Sequence, residues 1–362
     1  MLVMNDSLAS ALRAGLAAPI CLTWELTYGC NLSCRHCLSD SGPKAPGELD
    51  TGEALAFIDS FAEMGVFYVN IGGGEPMMRK DFFTILENAV ARRVGVKFST
   101  NGTFLDAAAS RRLAGMDYVD VQVSIDGHDQ ATNDEIRGQG SFDRAVAALG
   151  NLAAAGFENP KISVVATRHN VAHLDDLEAL ARRFGATLRV TRLRPSGRGA
   201  QSYSDLRPTP EGNRSLFAWL SERPQVLTGD SFFHLSPLGD PLPGLNMCGA
   251  GRVVCLVDPV GDVYACPFTI HPDFRAGNIR QQPFSEIWRG SRLFSGLRAE
   301  PGPTGCSSCS AYAACQGGCM AAKFHTGAAL DDPDPECVLG RSGGSSYTVV
   351  SIRPRRAAVA VD

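Results

Sequence analysis

The chain has 362 residues, 44% hydrophobic and 20% charged, with a net charge of −4, which suits two or so domains with packed cores. That balance offers no basic field to nucleic acid or to an anionic membrane, and no apolar run reaches the ~18 residues a bilayer span requires. Residues 1–10 lack a basic segment followed by an apolar stretch, so no secretion signal is read and the cytoplasm is the expected location. Residues 1–19 are read as an N-terminal extension. From residue 20 to about 194, short apolar runs alternate with amphipathic stretches; strands are expected at 20–27, 66–71, 96–99, 118–125, 162–168 and 188–193. Between the first two, Leu55, Ile58 and Phe61 follow Thr51 at near-helical spacing, and later helices are expected with Asp81, Ser141 and Asp175 near their starts. Six βα units in succession imply a parallel sheet with right-handed crossovers. Six fall short of the eight of a closed barrel, so residues 20–194 are expected to form a partial (β/α)6, TIM-like barrel with function at the C-terminal ends of its strands. Residues 195–247 read as a bridging segment, loop-like over PSGRGAQSYSDLRPTP, with one short helix near 216–220 and then a Gly/Pro-rich stretch. Residues 248–340 show little periodicity, as expected where metal rather than a hydrophobic core organises the chain. Residues 341–362 read as a flexible tail.

Twelve cysteines are the informative count, and their distribution divides them: Cys21 alone, Cys30, Cys34 and Cys37 together, and eight more between Cys248 and Cys337. Clustered thiols in a chain without an export signal read as metal ligands or redox groups rather than disulfides. Cys21 is expected to pack as a small buried apolar residue. Cys30, Cys34 and Cys37 have the spacing C-x3-C-x2-C directly after the first strand. Three thiolates can hold three irons of a [4Fe–4S] cube and leave the fourth iron open, which is what substrate chemistry requires. Zinc with His36 as fourth ligand is the alternative, though adjacent His36 and Cys37 are poorly placed to share one tetrahedral ion. Gly72-Gly73-Gly74-Glu75-Pro76 ends the second strand, Ser99-Thr100-Asn101-Gly102 the third and Ser124-Ile125-Asp126-Gly127 the fourth. Read alone, the last two are equally ordinary turn chemistry.

Triplet and glycine-rich turn together resemble the radical S-adenosylmethionine (SAM) superfamily. The resemblance implies that His36 packs near the SAM adenine and that Gly73, Gly74 and Glu75 meet its amino group. It further implies that Ser99, Asn101, Ser124 and Asp126 lie where the ribose hydroxyls and carboxylate bind, and that Arg137 pairs with the SAM carboxylate.

Cys306-x2-Cys309-x5-Cys315-x3-Cys319, then Cys337, together with Cys248, Cys255 and Cys266, resemble the SPASM domain of radical SAM enzymes that modify peptides. That resemblance implies two auxiliary iron–sulfur clusters, expected as [4Fe–4S]: one on Cys248, Cys255, Cys266 and Cys319, the other on Cys306, Cys309, Cys315 and Cys337. Two zinc sites are the alternative, since C-x2-C pairs also make zinc ribbons.

Longer phrases, among them CLTWELTYGCNLSCRHCLS, VFYVNIGGGEP, RVTRLRPSGRG and GLNMCGAGRVVCLVDPVGDVYACPF, are similar to the mycofactocin maturase family of radical SAM enzymes. This implies an oxidoreductase and lyase acting on a ribosomal precursor peptide that ends in Val-Tyr. The C-terminal Tyr would be oxidatively decarboxylated, and a carbon–carbon bond from Val would then close a lactam. The auxiliary clusters are implied as electron acceptors. With only about 20 residues before the first strand, a separate peptide-binding chaperone is expected, as is an external electron donor. Another SPASM maturase, sulfatase-type or thioether-forming, shares these motifs, and a non-enzymatic iron–sulfur or zinc scaffold is a further alternative. The residue that handles the phenol proton is not legible.

Overall fold

Strand alternation builds the barrel: along β1 (Cys21–Thr27), Leu22, Trp24 and Leu26 are buried, while Cys21, Thr23 and Glu25 face an interior cavity. The same two-residue period runs through β2 (Tyr68–Gly73), β3 (Gly95–Thr100), β4 (Val119–Ser124), β5 (Lys161–Ala166) and β6 (Thr187–Arg192), all parallel neighbours in that order. The structure is a computed structural model that describes residue 12 and residues 14–229, 232–244, 246–299 and 302–340. The tail at 341–362 and most of the N-terminal extension lie outside the described residues.

Helices α1 (Thr51–Glu63), α2 (Phe82–Ala91), α3 (Ala107–Ala114), α4 (Gln130–Arg137), α5 (Ser141–Ala154) and α6 (Leu174–Arg183) fill the crossovers. Asp50, not Thr51, caps α1, in a capping box with Glu53. Beyond the barrel, α7 (Gly199–Leu206) occupies part of the stretch expected to be a loop. Its residues are indifferent helix formers, but Tyr203 and Leu206 bury against Leu193, so tertiary packing outweighs propensity. Helix α8 (Pro210–Ser221) starts at Thr209, whose side chain accepts from the Gly212 N–H.

The cysteine-rich segment departs from its expectation. Strand β7 (Val254–Val257) pairs in parallel with β1 on the side opposite β2, and β8 (Asp262–Tyr264) and β9 (Arg275–Asn278) continue antiparallel. The result is one nine-stranded sheet, β6-β5-β4-β3-β2-β1-β7-β8-β9. Val257, Val263 and Phe274, with Trp288 of α9 (Phe284–Gly290) and Phe294 of α10 (Arg292–Ala299), join the same hydrophobic core as the barrel. Residues 254–299 are therefore organised by apolar burial; only the stretch from 304 onward relies on short helical turns. Among the described residues, no helix is long and apolar enough to cross a membrane.

Candidate functional site

A cavity of about 490 Å³ runs through the barrel interior, from Cys21 and Tyr68 at the floor to the strand ends. Cys30, Cys34 and Cys37 line one side of its mouth, and Cys248, Cys266 and Cys319 line the other. The loop after β1 presents its thiols through local bonds: the Leu32 N–H donates to Cys30 Sγ (3.4 Å) and the Ser41 N–H to Cys37 Sγ (3.4 Å). Burial pushes the Cys30 thiol up to about 11, opposed by the Leu32 N–H and assisted by nearby Cys34, Glu75 and Cys37. A bound cation removes that penalty.

The glycine turn after β2 is dictated by contact. Gly73 has φ +109°, and a Cβ on Gly74 would stand 2.1 Å from the Gly29 carbonyl oxygen. Gly74 N–H donates to Thr27 O and Glu75 N–H to Gly29 O, which ties the turn to the triplet loop. Gly73, Gly74, Ser99, Asn101, Ser124, His36 and Arg137 all line the cavity.

Two residues of that set do not. Glu75 is 1% exposed, and its carboxylate accepts from Thr100 Oγ1 (2.9 Å), Asn101 N–H (2.8 Å) and Met77 N–H (3.2 Å). Burial raises it to about 7 against those donors. Asp126 is fully buried; its Oδ1 accepts from the Val165 N–H, and its Oδ2 lies 2.6 Å from both His36 Nε2 and Arg137 Nε. Both carboxylates position their neighbours; neither meets the cavity, because their oxygens are consumed by protein donors.

Cys255, unlike Cys248 and Cys266, does not line the cavity. It pairs with Leu22 across β1 and β7 and shares the buried face, at 0% exposure, whereas Val254 faces the cavity opposite Cys21. Strand parity therefore turns its sulfur into the hydrophobic core, off the cavity wall; burial, then nearby Cys21 and Cys266, push its thiol up. Cys248, Cys266 and Cys319 are mutual neighbours: Cys266 is raised by burial and then by Cys248 and Cys319. Cys306, Cys309 and Cys337 surround Cys315, raising it further after burial. Cys21, expected to pack as an apolar residue, instead lines the cavity floor.

A tetrahedral zinc, with Zn–S about 2.3 Å, draws its sulfurs to about 3.8 Å of one another. Among the described residues, His128, His173 and Asp176 form the one group of three potential ligands with donor atoms within 4.8 Å. Among the described residues, no three cysteine sulfurs lie within that 4.8 Å of one another.

Sequence reasoning missed Glu25, a cavity-lining carboxyl at 2% exposure whose Oε2 has no hydrogen-bond partner among the described residues. Its signal was a charge at an inward position of an otherwise apolar strand. Burial, then nearby Asp258, pushes it up to about 8. Also missed was a buried clamp: Arg192 grips Asp334 through two bonds (2.7 and 2.9 Å) and Glu336 through Nε (2.9 Å). Asp334 Oδ2 in turn accepts from the Cys319 N–H (2.7 Å).

Comparison with known proteins places this geometry. The Radical SAM superfamily profile matches residues 24–183, and the SPASM profile, an iron-sulfur cluster-binding domain, matches residues 248–310. Mycofactocin maturase MftC of Mycobacterium tuberculosis (strain ATCC 25618 / H37Rv) is 60% identical over 332 residues, 91% of this chain and 85% of that protein. MftC of Mycolicibacterium smegmatis (strain ATCC 700084 / mc(2)155) is 59% identical over 337 residues, 92% and 86% of the two chains. In fold, the chain is similar to Streptococcus suis SuiB bound to S-adenosylmethionine, with TM-score 0.74 at 18% identity over 90% of this chain and 78% of that one. SuiB bound to its precursor peptide SuiA gives a TM-score of 0.72, again at 18% identity, over 90% and 77%. Two domain profiles in the order of the two cysteine groups, with 60% identity over nine-tenths of the length, show that the chain belongs to the mycofactocin maturase family of radical SAM enzymes.

Proposed function

We propose that the chain is a radical SAM peptide maturase in mycofactocin biosynthesis. It oxidatively decarboxylates the C-terminal Tyr of a precursor peptide and then joins the preceding Val to the former Tyr in a lactam. The observation that carries this reading is the single cavity bordered by both cysteine triplets and walled by polar strand residues. Relatives at 60% identity that bear the name mycofactocin maturase support the substrate, and the SuiB–SuiA complex supports a peptide ligand for the fold.

Cys30, Cys34 and Cys37 would hold a [4Fe–4S] cluster with one open iron. His36, Gly73, Gly74, Ser99, Asn101, Ser124 and Arg137 would cradle SAM beside it, with Glu75 and Asp126 fixing those groups from behind. Cys248, Cys266 and Cys319 would hold one auxiliary cluster, and Cys306, Cys309, Cys315 and Cys337 the other. SAM bound at such a cluster supplies a 5′-deoxyadenosyl radical that takes a hydrogen atom. From the Tyr carboxylate, removal of one hydrogen atom, one electron and CO2 leaves a neutral alkenyl phenol, so the balance closes with a one-electron acceptor, the chemistry the auxiliary clusters would supply. The barrel walls exclude water and orient the peptide end, and Glu25 holds a proton within the cavity at neutral pH. A separate peptide-binding chaperone and an external electron donor complete the system.

Anaerobic incubation with SAM, reductant, chaperone and a precursor peptide ending in Val-Tyr tests this by mass spectrometry. Loss of CO2 and two hydrogens from the peptide is expected. SAM cleavage with the peptide unchanged would retire the substrate.

A further inference from the structure

Six cations line the cavity, and four have partners. Arg137 pairs with Asp126, Arg192 with Asp334 and Glu336, and Arg198 with Asp40. Arg194 donates to Cys319 Sγ (3.4 Å) and stacks 4.1 Å from the Phe268 ring. The remaining two, Lys97 and Arg189, have no carboxylate within ion-pair distance among the described residues. Lys97 lies 5.8 Å from the centre of the Tyr68 ring, and Arg189 Nη1 donates to the Ser163 hydroxyl (3.3 Å). Asp120, which favours the charged form of both, is engaged by Lys161 at 2.9 Å. Among the described residues Glu25 is the one carboxyl lining the cavity, and burial raises it to about 8. Burial pushes both cations down, with Arg189 adding to the effect on Lys97 and Arg194 to that on Arg189.

Charges so placed ordinarily have a counter-ion. We propose that Lys97 and Arg189 bind the α-carboxylate of the substrate peptide's C-terminal residue, a reading that rests on the peptide function above. A planar guanidinium and an ammonium on facing strands suit a carboxylate. The floor of the cavity is closed by Ile20, Met247 and Val253, so a chain end can reach the pair, whereas a side-chain carboxylate would have to bring its flanking backbone with it. Holding the carboxylate there fixes the Cα–C bond that breaks and makes the site selective for a terminal residue.

The test uses anaerobically reconstituted protein with chaperone and two fluorescently labelled precursor peptides, one ending in Val-Tyr acid and one in Val-Tyr carboxamide. The wild type should bind the acid roughly tenfold or more tightly. Lys97→Met and Arg189→Met should each bring the acid toward the amide's affinity and leave the amide's affinity unchanged, with Arg189→Lys intermediate. Iron content and SAM binding verify that the variants fold. Equal binding of acid and amide by the wild type overturns the assignment without reference to any variant, as does an undiminished preference in both Met variants. Preference for the acid without chemical change in it upholds the carboxylate site and defeats the decarboxylation reading. Decarboxylation with no preference does the reverse.

Discussion

Cys248 and Cys255 stand seven positions apart in one motif, yet only Cys248 lines the cavity. Spacing displays the sulfurs but not the start of β7, and it is parity within β7 that decides where Cys255 points. Iron content tests the distinction. If all three sites hold four-iron cubes, the wild type takes up about 12 irons, and Cys248→Ala or replacement of Cys30, Cys34 and Cys37 should each remove about four. Cys255→Ala should leave the count unchanged; loss of about four irons would restore Cys255 as a ligand. The cavity-lining residues at the strand ends were legible from their turns, but the inward bonding of Glu75 and Asp126 was not, because it depends on donors from other strands. Asp126 is pushed up by its burial, but Arg137 and His36 more than offset that and hold it well below the usual carboxylate range. A lowered folded value contributes stability at neutral pH that is lost as the pH falls below the unfolded value. Asp126→Asn leaves Arg137 without its counter-charge and should cost about 3–5 kcal/mol at pH 7 and raise the SAM Kd. Thermal melting with and without SAM measures both, and the gap to wild type should narrow in acid. A mutant melting like the wild type at pH 7 would remove Asp126 from this role.

At the level of elements, the six strands of the barrel were legible because each carries its own two-residue period between helical patterns. Their observed bounds lie within two residues of expectation. The seventh was hidden. Four residues, Val254–Val257, give too short a period to stand out among glycines and cysteines, and their partner Cys21–Trp24 lies more than 200 residues away. Nor could sequence announce the clamp from β6 to the turn before Cys337, since Arg192, Asp334 and Glu336 meet only in three dimensions. This clamp is the most buried ionic link between the barrel and the later cysteines: Arg192 and Asp334 side chains are each 3% exposed. Arg192→Met strands two carboxylates and should destabilise by about 3–5 kcal/mol. Because Asp334 also holds the Cys319 N–H, damage should begin locally. Limited proteolysis should cut residues 304–340 first while the barrel fragment persists; uniform digestion would show that the clamp does not couple the two.

For the whole molecule, the continuous sheet means that barrel and cysteine-rich segment share one core, and their junction is where buried acids gather. Glu25 lies on β1 beside β7, and Asp258 directly follows β7; burial raises them to about 8 and about 7. Each is more readily protonated folded than unfolded, so the sign is opposite to that of Asp126. Between the ordinary Glu value of 4.5 and about 8, the folded state retains a proton at Glu25 that the unfolded chain has released. The unfolded state then binds fewer protons, and stability must fall as the pH rises through that window. With about 1.4 kcal/mol per unit of displacement, the loss attributable to Glu25 is of the order of a few kcal/mol by pH 8. Glu25→Gln keeps the shape and removes the titration. It should melt like the wild type near pH 4.5 and increasingly above it as the pH approaches 8, with Asp258 left to give the residual slope. Measured as melting midpoint against pH, parallel curves for the two proteins would mean that the cavity hydrates Glu25 enough to ionise freely. Convergence in acid and divergence in base would identify the junction acids as a source of the molecule's pH dependence.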